Sequence, residues 1–133
     1  VRAVRVPAEP WRATRGEGWS RRLEAGLRSV ALAPWLALLR WRLRRAGVRY
    51  NTDVRGLTQT GQMDEATVVR LIETLDRDGT EIFFHPATES PSPAPLPQSV
   101  AAHVAELDAL RSPRVRSALA ARGAVPAGFG DLG

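Results

Sequence analysis

Two stretches in the first third of the chain carry apolar residues at the spacing of a helix. The first begins at Ser20, an expected N-cap, and runs to about residue 32. In the second, Pro34 suits a first helical turn and Gly47 suits the position after the last turn. One face of this second helix collects Leu32, Trp35, Leu36, Leu39 and Leu43. The pattern therefore predicts two helices that meet near Pro34.

Three further helices are predicted in the second half of the chain. Asp64 is a suitable N-cap for a helix whose apolar residues, at helical spacing, are Val68, Leu71, Ile72 and Leu75. Asp78 followed by Gly79 ends it. The other two helices cover about residues 99–110 and 113–122. Between them and the preceding strand, residues 90–97 contain alternating prolines without the PxxP spacing of an SH3 ligand, so we expect a stiff loop.

The segments with the sequence pattern of a β-strand are short. Residues 1–7 alternate weakly and stop at Pro7, which predicts a strand followed by a loop over residues 8–18. Residues 80–86 are rich in β-formers and run into a proline, which predicts another strand. Residues 48–61 are polar and irregular. The tail, residues 124–132, could form a last strand, although Pro126 and Gly128 weaken that prediction. Because strands and helices alternate, we expect an α/β sheet or barrel with a few short parallel strands and several helices.

The charge of the chain is unevenly distributed. The 133 residues include 19 basic ones, all arginines, and 14 acidic ones, for a net charge of +5. Residues 1–55 hold 13 of the arginines and four of the acidic residues, so the remainder is net acidic. The basic charge of residues 1–55 indicates either that they bind an anionic partner or that they form one half of a larger charged surface. The absence of cysteine excludes disulfides and thiolate metal sites.

The segment 35–45 is rich in tryptophan and arginine and has three interpretations. It is typical of a helix that packs on a core and exposes a basic face. It also suits a membrane surface, where tryptophan and arginine are favoured. Contact with nucleic acid is the third, but the chain contains no groove-reading or RNA-binding module, so we expect no nucleic-acid partner. The longest apolar run, residues 30–39, is too short to cross a bilayer, and the N-terminus has no signal-peptide pattern.

His85 is the most informative single residue. It follows an apolar strand and precedes Pro86, and the carboxyl ends of parallel strands face the active site in α/β folds. Acid–base chemistry and a purely structural strand-end role both remain open from position alone. His103 lies on a predicted helix beside Val104 and Leu107, which favours a structural role. Two histidines without cysteine give no zinc signature.

Arg5, at the end of the first strand, has two interpretations as well. A fixed guanidinium there could orient a carboxylate through a bidentate contact. The alternative is one surface arginine among many, and spacing alone favours it.

Six stretches together resemble one protein family. They are residues 2–9, residues 34–39 with the arginines that follow, residues 56–57 with 60–63, residues 80–88, residues 105–110 with 112–115, and residues 129–132. The most specific is Thr-Glu-Ile-Phe-Phe-His-Pro-Ala-Thr, which begins at Thr80. On these residues the chain is similar to the YdjC-like carbohydrate deacetylases, and within them to the hopanoid-associated (HpnK-type) branch.

The resemblance implies a fold and a missing part. The family's domain is a deformed (β/α) barrel that begins with an Asp-Asp pair and supplies two metal-binding histidines upstream of the Arg-x-Pro strand. Residues 1–133 would then be the C-terminal portion of a single deacetylase domain. A divalent metal ion, Mg²⁺ or Zn²⁺, would serve the complete enzyme with ligands outside this chain.

The resemblance also implies an activity and residue roles. The reaction would be metal-dependent N-deacetylation of an N-acetylated sugar, with an N-acetylglucosaminyl hopanoid lipid as the expected substrate. His85 would protonate the leaving amine, Arg5 would orient a catalytic aspartate, and Glu9 and Pro86 would line the substrate groove. We expect a cytoplasmic protein that touches the inner membrane through residues 34–46, and a homodimer is compatible with the sequence. The alternative is an inactive remnant that acts as a binding domain.

Overall fold

The structure, a computed structural model, describes residues 3–10, 18–88 and 99–131. In chain order the elements are β1 (Ala3–Val4), α1 (Trp19–Arg45), β2 (Arg49–Tyr50), β3 (Asp53–Arg55), α2 (Glu65–Glu73), β4 (Thr80–Ile82), α3 (Val100–Arg111), α4 (Pro113–Ala121) and a 3-10 turn (Phe129–Asp131). β1 pairs with β2 and β3 pairs with β4, both in parallel. The α/β class with short parallel strands is confirmed, and the barrel stays a prediction.

The chain divides into two compact units. The first comprises the described residues within Val1–Thr58, Asp76–Ile82 and Pro126–Gly133, and it contains α1 and the four strands. The second comprises those within Gln59–Leu75 and Phe83–Val125, and it contains α2, α3 and α4.

Asn51 connects the two strand pairs of the first unit. Its side-chain oxygen accepts the N–H of Val6 at 2.6 Å, and its amide donates to the carbonyls of Val6 and Asp53 at 3.1 and 3.0 Å. Val54 adds an N–H bond to the carbonyl of Ala8 at 2.9 Å. The prediction that residues 48–61 lack regular structure is therefore wrong. The polar side chains of Asn51, Asp53 and Arg55 are buried and paired in the interior, and they lie at and beside β3, whereas β2 is partly exposed.

Helix α1 is continuous, so the prediction of two helices that meet near Pro34 is wrong. A proline inside a helix removes one backbone donor, and packing on both sides can hold the helix across it. Here the buried residues Ala25 and Leu36 lie before and after Pro34 and pack on the same unit. The N-cap is Gly18 rather than Ser20, whereas Gly47, with φ of +64°, follows the last turn as predicted. No helix within the described ranges has the length and apolar character needed to cross a membrane.

The three helices of the second unit begin where local capping signals predict them. Asp64 accepts the N–H of Thr67 at 2.9 Å at the start of α2. Ser99 caps α3, and Ser112 caps α4. The buried apolar residues of this unit are Met63, Val68, Leu71, Ile72, Ala109 and Val115. The predicted bounds of α3 and α4 are confirmed to within a residue or two. Helix α2 begins as predicted but ends at Glu73, so the prediction that it includes Leu75 and ends at Asp78 and Gly79 is wrong.

The predicted strands are longer than the observed ones. β4 ends at Ile82, so His85 follows the strand instead of closing it. The possible last strand is not observed in the described part of the tail, where Phe129–Asp131 forms a 3-10 turn and the preceding residues are irregular, as its proline and glycines disfavour extended pairing. The alternating prolines of residues 90–97 and most of the predicted loop at 8–18 lie outside the described residues.

Candidate functional site

The backbone of His85 is held by two side chains of α3. Its N–H donates to the carboxylate of Glu106, and its carbonyl lies 2.5 Å from Nδ1 of His103. The next residue but one, Ala87, donates its N–H to the carbonyl of His103 at 3.3 Å. His103 and Glu106 stand three positions apart, so they share one face of the helix. Residues 85–87 are therefore docked on α3 from both sides of Pro86, which itself is exposed.

The contact with a carbonyl fixes the tautomer of His103. Because a carbonyl oxygen can only accept, Nδ1 must carry the hydrogen, and the neutral ring then keeps a lone pair on Nε2. Among the described residues neither this Nε2 nor Oε1 of Glu106 has a hydrogen-bond partner, although both atoms are buried. His103 is 7% exposed and Glu106 is 0% exposed. Both side chains thus act inside the unit, on the backbone of His85.

The imidazole of His85 is half-buried against aromatic rings. It meets the Phe83 ring edge to face, with centroids 4.5 Å apart, and its centroid lies 6.4 Å from that of His103. With the backbone fixed by α3, the position of this ring depends only on its own side-chain torsions. Histidine can donate or accept a proton near neutral pH, so a positioned imidazole suits general acid–base chemistry.

Arg5, in the first unit, is paired with a strand residue. Its Nε donates to Oε2 of Glu81 on β4 at 2.8 Å, and its guanidinium forms an ion pair with the same carboxylate. The side chain of Arg5 is 45% exposed, against 15% for Glu81. The guanidinium is thus oriented by β4 while much of its surface remains accessible. Its role toward a catalytic aspartate stays a prediction.

Glu9 holds the loop that follows β3. Its Oε1 accepts the N–H of Leu57 at 3.0 Å, and its Oε2 accepts the N–H and the hydroxyl of Thr58 at 2.9 and 2.5 Å. Arg28 approaches the same carboxylate at 3.9 Å, and the Glu9 side chain is only 6% exposed. Both carboxylate oxygens are engaged in fixing the loop, and a direct contact with substrate stays a prediction.

The predicted site residues fall in two groups. Arg5 and Glu9 belong to the first unit, and His85 and Pro86 belong to the second. Within the described ranges, no group of three or more His, Asp or Glu side chains is placed to hold a metal ion. The metal that the resemblance implies therefore does not fit these residues, and we assign it no site among them.

A cavity of about 630 Å³ lies elsewhere in the first unit. Its lining includes Arg44, Arg49, Tyr50, Thr52, Asp78 and Asp131. None of the predicted site residues lines it, so it forms no part of the candidate site.

Sequence reasoning missed the part played by Glu106. A charged residue on a predicted helix suggests a surface carboxylate, and yet Glu106 is fully buried. The sequence did offer one indication: His103 and Glu106 stand three positions apart, so on a helix they lie on the same face, and this face is the buried one. His103 was expected to be structural, and its burial and backbone contacts agree with that.

Comparison with known proteins gives a family match. The model of the family described as YdjC-like protein matches residues 1–121 of this chain. The chain belongs to the YdjC-like family. The matched span includes Arg5, Glu9 and His85 together with the two α3 residues that hold His85. No curated protein and no solved structure matches the chain. The YdjC-like family is related to carbohydrate deacetylases, which points to activity of that type.

Proposed function

We propose that this YdjC-like protein acts in the hydrolytic removal of the acetyl group from an N-acetylated sugar, with His85 as the residue that transfers the proton. Family membership supports the reaction class. The observation that carries the role of His85 is the capture of both its backbone polar groups by Glu106 and His103. Such support fixes the backbone from which the reacting side chain extends, which limits the positions that the imidazole can take and favours acid–base catalysis.

The proposed role of His85 follows from the leaving group. Cleavage of an amide C–N bond needs a proton on the departing nitrogen, because an amide anion is too basic to leave. In the imidazolium form, His85 gives its proton to that nitrogen as the bond breaks, and the neutral imidazole is recharged from solvent. General acid catalysis of this kind contributes roughly 10²–10⁴-fold to a rate.

Arg5 and Glu9 have positioning roles in this proposal. The exposed part of the Arg5 guanidinium orients a catalytic carboxylate supplied from outside the described residues, while Glu81 keeps the guanidinium in place. Glu9 acts on the substrate groove through the loop at Leu57 and Thr58, which its carboxylate fixes. Pro86, exposed between two anchored residues of the second unit, is proposed to contact the substrate.

The proposal includes a divalent cation, Mg²⁺ or Zn²⁺. Such an ion would supply Lewis-acid chemistry toward an acetyl carbonyl and a bound water. Its ligands would come from outside the described residues, and the proposed roles of His85 and Arg5 do not pass through it.

The preferred substrate is proposed to be an N-acetylglucosaminyl hopanoid lipid. The support is the resemblance of the segments around Pro34, Thr80 and Phe129 to the hopanoid-associated branch. We place the protein in the cytoplasm, where such a lipid would be presented at the inner membrane face. A glycolipid substrate predicts a marked preference over soluble N-acetylated sugars.

Acetate release tests this function. The protein, expressed from its complete reading frame, is incubated with an N-acetylglucosaminyl hopanoid lipid in detergent micelles, or with soluble diacetylchitobiose, and acetate is measured. We expect release with Mg²⁺ or Zn²⁺, faster from the lipid, and its loss after chelation. A folded protein that releases no acetate from either substrate under any metal condition would exclude the deacetylase and favour the alternative, a non-catalytic binding domain.

A further inference from the structure

An exposed apolar stripe runs along α1 on the side opposite its packed face. The packed face is formed by Ala25, Ser29, Leu36 and Leu43, which are buried or half-buried. The stripe consists of Trp19, Leu23, Leu27, Val30, Pro34, Leu38 and Trp41. Each of them is exposed, with Leu38 at 45% and Trp19 at 77%. Single exposed apolar residues are ordinary on a surface, but a continuous row of them marks an interaction site.

The spacing of the stripe makes it straight. Its members follow one another at intervals of four, four and three residues, so Trp19, Val30 and Trp41 are separated by 11 residues each. An 11-residue repeat corresponds to about 3.67 residues per turn, close to the ~3.6 of an α-helix. The stripe therefore stays on one side of α1 over roughly 33 Å, at about 1.5 Å per residue. A straight apolar line of this length suits a flat partner.

Arginines flank the stripe on both sides. The α1 sequence contains seven arginines and one glutamate, a net charge of +6. Three of the arginines, Arg28, Arg40 and Arg44, donate hydrogen bonds to residues of the first unit, so the flanking charges are drawn from the others. At helical spacing, Arg42 lies on one flank of the stripe and Arg22 on the other, and both are exposed. Arg45 lies over the ring of Trp41, with its guanidinium carbon 5.0 Å from the ring centroid. The charge of the partner must therefore be negative at the edges of the contact, while its centre must be apolar.

We propose that α1 lies in the plane of a lipid bilayer that contains anionic lipids, with the stripe from Trp19 to Trp41 inserted among the acyl chains. Tryptophan at the interface, arginines at the headgroups and an apolar face between them are the features of such a helix. This contact with the bilayer would involve nearly the whole length of α1. It therefore extends beyond residues 34–46, the segment for which the sequence predicted membrane contact. It does not depend on the deacetylase activity.

Charge decides against two other occupants of the stripe, a second copy of α1 and nucleic acid. Two copies of α1 packed along their stripes would bring their arginine rows together, and like charges in contact are unfavourable. Nucleic acid is bound through its phosphates, and arginines without an apolar centre would serve that purpose. An anionic bilayer offers both the apolar interior and the negative edge.

Vesicle binding tests the proposal directly on the protein. Co-sedimentation and tryptophan fluorescence are measured with phosphatidylcholine vesicles that do or do not contain phosphatidylglycerol. We expect binding and a blue shift with the anionic vesicles. Binding should weaken as salt rises from about 0.1 M to about 1 M, because the Debye length falls from about 10 Å to about 3 Å. Absence of binding to anionic vesicles at low salt would overturn the proposal.

Two matched variants separate the stripe from general charge. Val30→Glu places a carboxylate in the centre of the stripe at a position 75% exposed, so the fold should tolerate it. Ala33→Glu adds the same charge at an exposed position of α1 outside the stripe. We expect Val30→Glu to reduce vesicle partitioning about tenfold or more, and Ala33→Glu to change it less than about threefold. Equal losses in the two variants would show that charge alone drives binding and would overturn insertion of the stripe. A lipid-independent dimer that Val30→Glu dissociates would assign the stripe to a second copy instead.

Discussion

The carboxylate of Glu106 accepts the backbone N–H of His85, a contact between residues 21 positions apart in the chain. The bond joins a buried helix residue to the backbone of the candidate catalytic residue, not to its ring. Glu106 therefore fixes the position of the His85 Cα. Because the bond does not involve the ring, the imidazole remains half-buried and accessible. His103 completes the arrangement at the carbonyl of the same residue.

Glu106→Ala should lower kcat of the deacetylase by at least about tenfold with little change in KM, because His85 loses its anchor rather than a substrate contact. It should also destabilise the protein by roughly 1–3 kcal/mol, since the hydrogen bond from the His85 N–H to Glu106 is lost. Steady-state kinetics and urea unfolding measure the two effects.

Glu106→Gln is the matched control for this variant. The amide keeps an oxygen that can accept the N–H of His85, so most of the turnover and most of the stability should return. If Glu106→Gln is as impaired as Glu106→Ala, the charge of Glu106 matters rather than its hydrogen bond, and the positioning role is wrong.

Glu65 should make stability depend on pH in the acid range. The hydrogen bond from Ser112 at 2.5 Å, together with Arg114 at 2.8 Å, lowers the pKa of Glu65 below its ordinary value of 4.5, partly opposed by desolvation. Because the folded pKa lies below the unfolded one, this stabilisation is present above about pH 4.5 and is lost as pH falls through the folded pKa.

Urea unfolding of the wild type and Glu65→Gln across pH 2–7 measures that dependence. The wild type should be the more stable near neutral pH, and its advantage should shrink below pH 4.5. An advantage that grows as the solution is acidified would contradict the assigned direction of the pKa shift.

Arg55 should be far more important for stability than its partner Asp76. The guanidinium bonds Asp53 at 3.3 Å and Asp76 at 2.8 Å, and the Arg55 side chain is 2% exposed. Arg55→Ala leaves Asp53 buried without its cation, which should cost roughly 3–5 kcal/mol. Asp76→Ala removes a side chain that is 47% exposed and should cost less than about 1 kcal/mol. Similar losses of unfolding free energy in the two variants would contradict the prediction that the buried Arg55–Asp53 pair contributes most of this stability.

The turn before β4 requires glycine at position 79. Gly79 has φ of +72°, and a Cβ there would lie 3.3 Å from Oγ1 of Thr52. Gly79→Ala should destabilise the protein by about 1–2 kcal/mol. Gly26→Ala is the control: Gly26 lies inside α1, and apart from its neighbours along the helix backbone no atom lies within 4 Å of an added Cβ, so this change should stabilise the protein by about 0.5–1 kcal/mol. Thermal unfolding should therefore shift in opposite directions in the two variants.

Local signals in the sequence were sufficient for some elements and insufficient for others. Helices α2 and α4 could be predicted because Asp64 and Pro113 mark their first turns through contacts within a few residues. The continuity of α1 across Pro34 could not, because packing at Ala25 and Leu36 outweighs the lost hydrogen bond. β2 and β3 could not either, because Asn51 and its neighbours are buried by pairing between distant segments.

The same limit applies to the candidate site. His85 could be singled out because a strand followed by a proline is a local pattern. The support from Glu106 and His103 depends on where α3 packs in the second unit, which helical periodicity does not reveal. The engagement of Glu9 with Thr58 is likewise a contact between residues 49 positions apart.

The most direct test of the role of His85 is the acetate release rate of His85→Ala beside that of Thr88→Ala, an exposed residue of the same segment. The protein expressed from its complete reading frame is used, with an N-acetylglucosaminyl substrate. We predict that His85→Ala lowers turnover by roughly 10²–10⁴-fold, the usual contribution of general acid–base catalysis, with metal content unchanged. Thr88→Ala should retain its activity. Near-normal turnover in His85→Ala, or loss of the bound metal together with activity, would contradict the role assigned to His85.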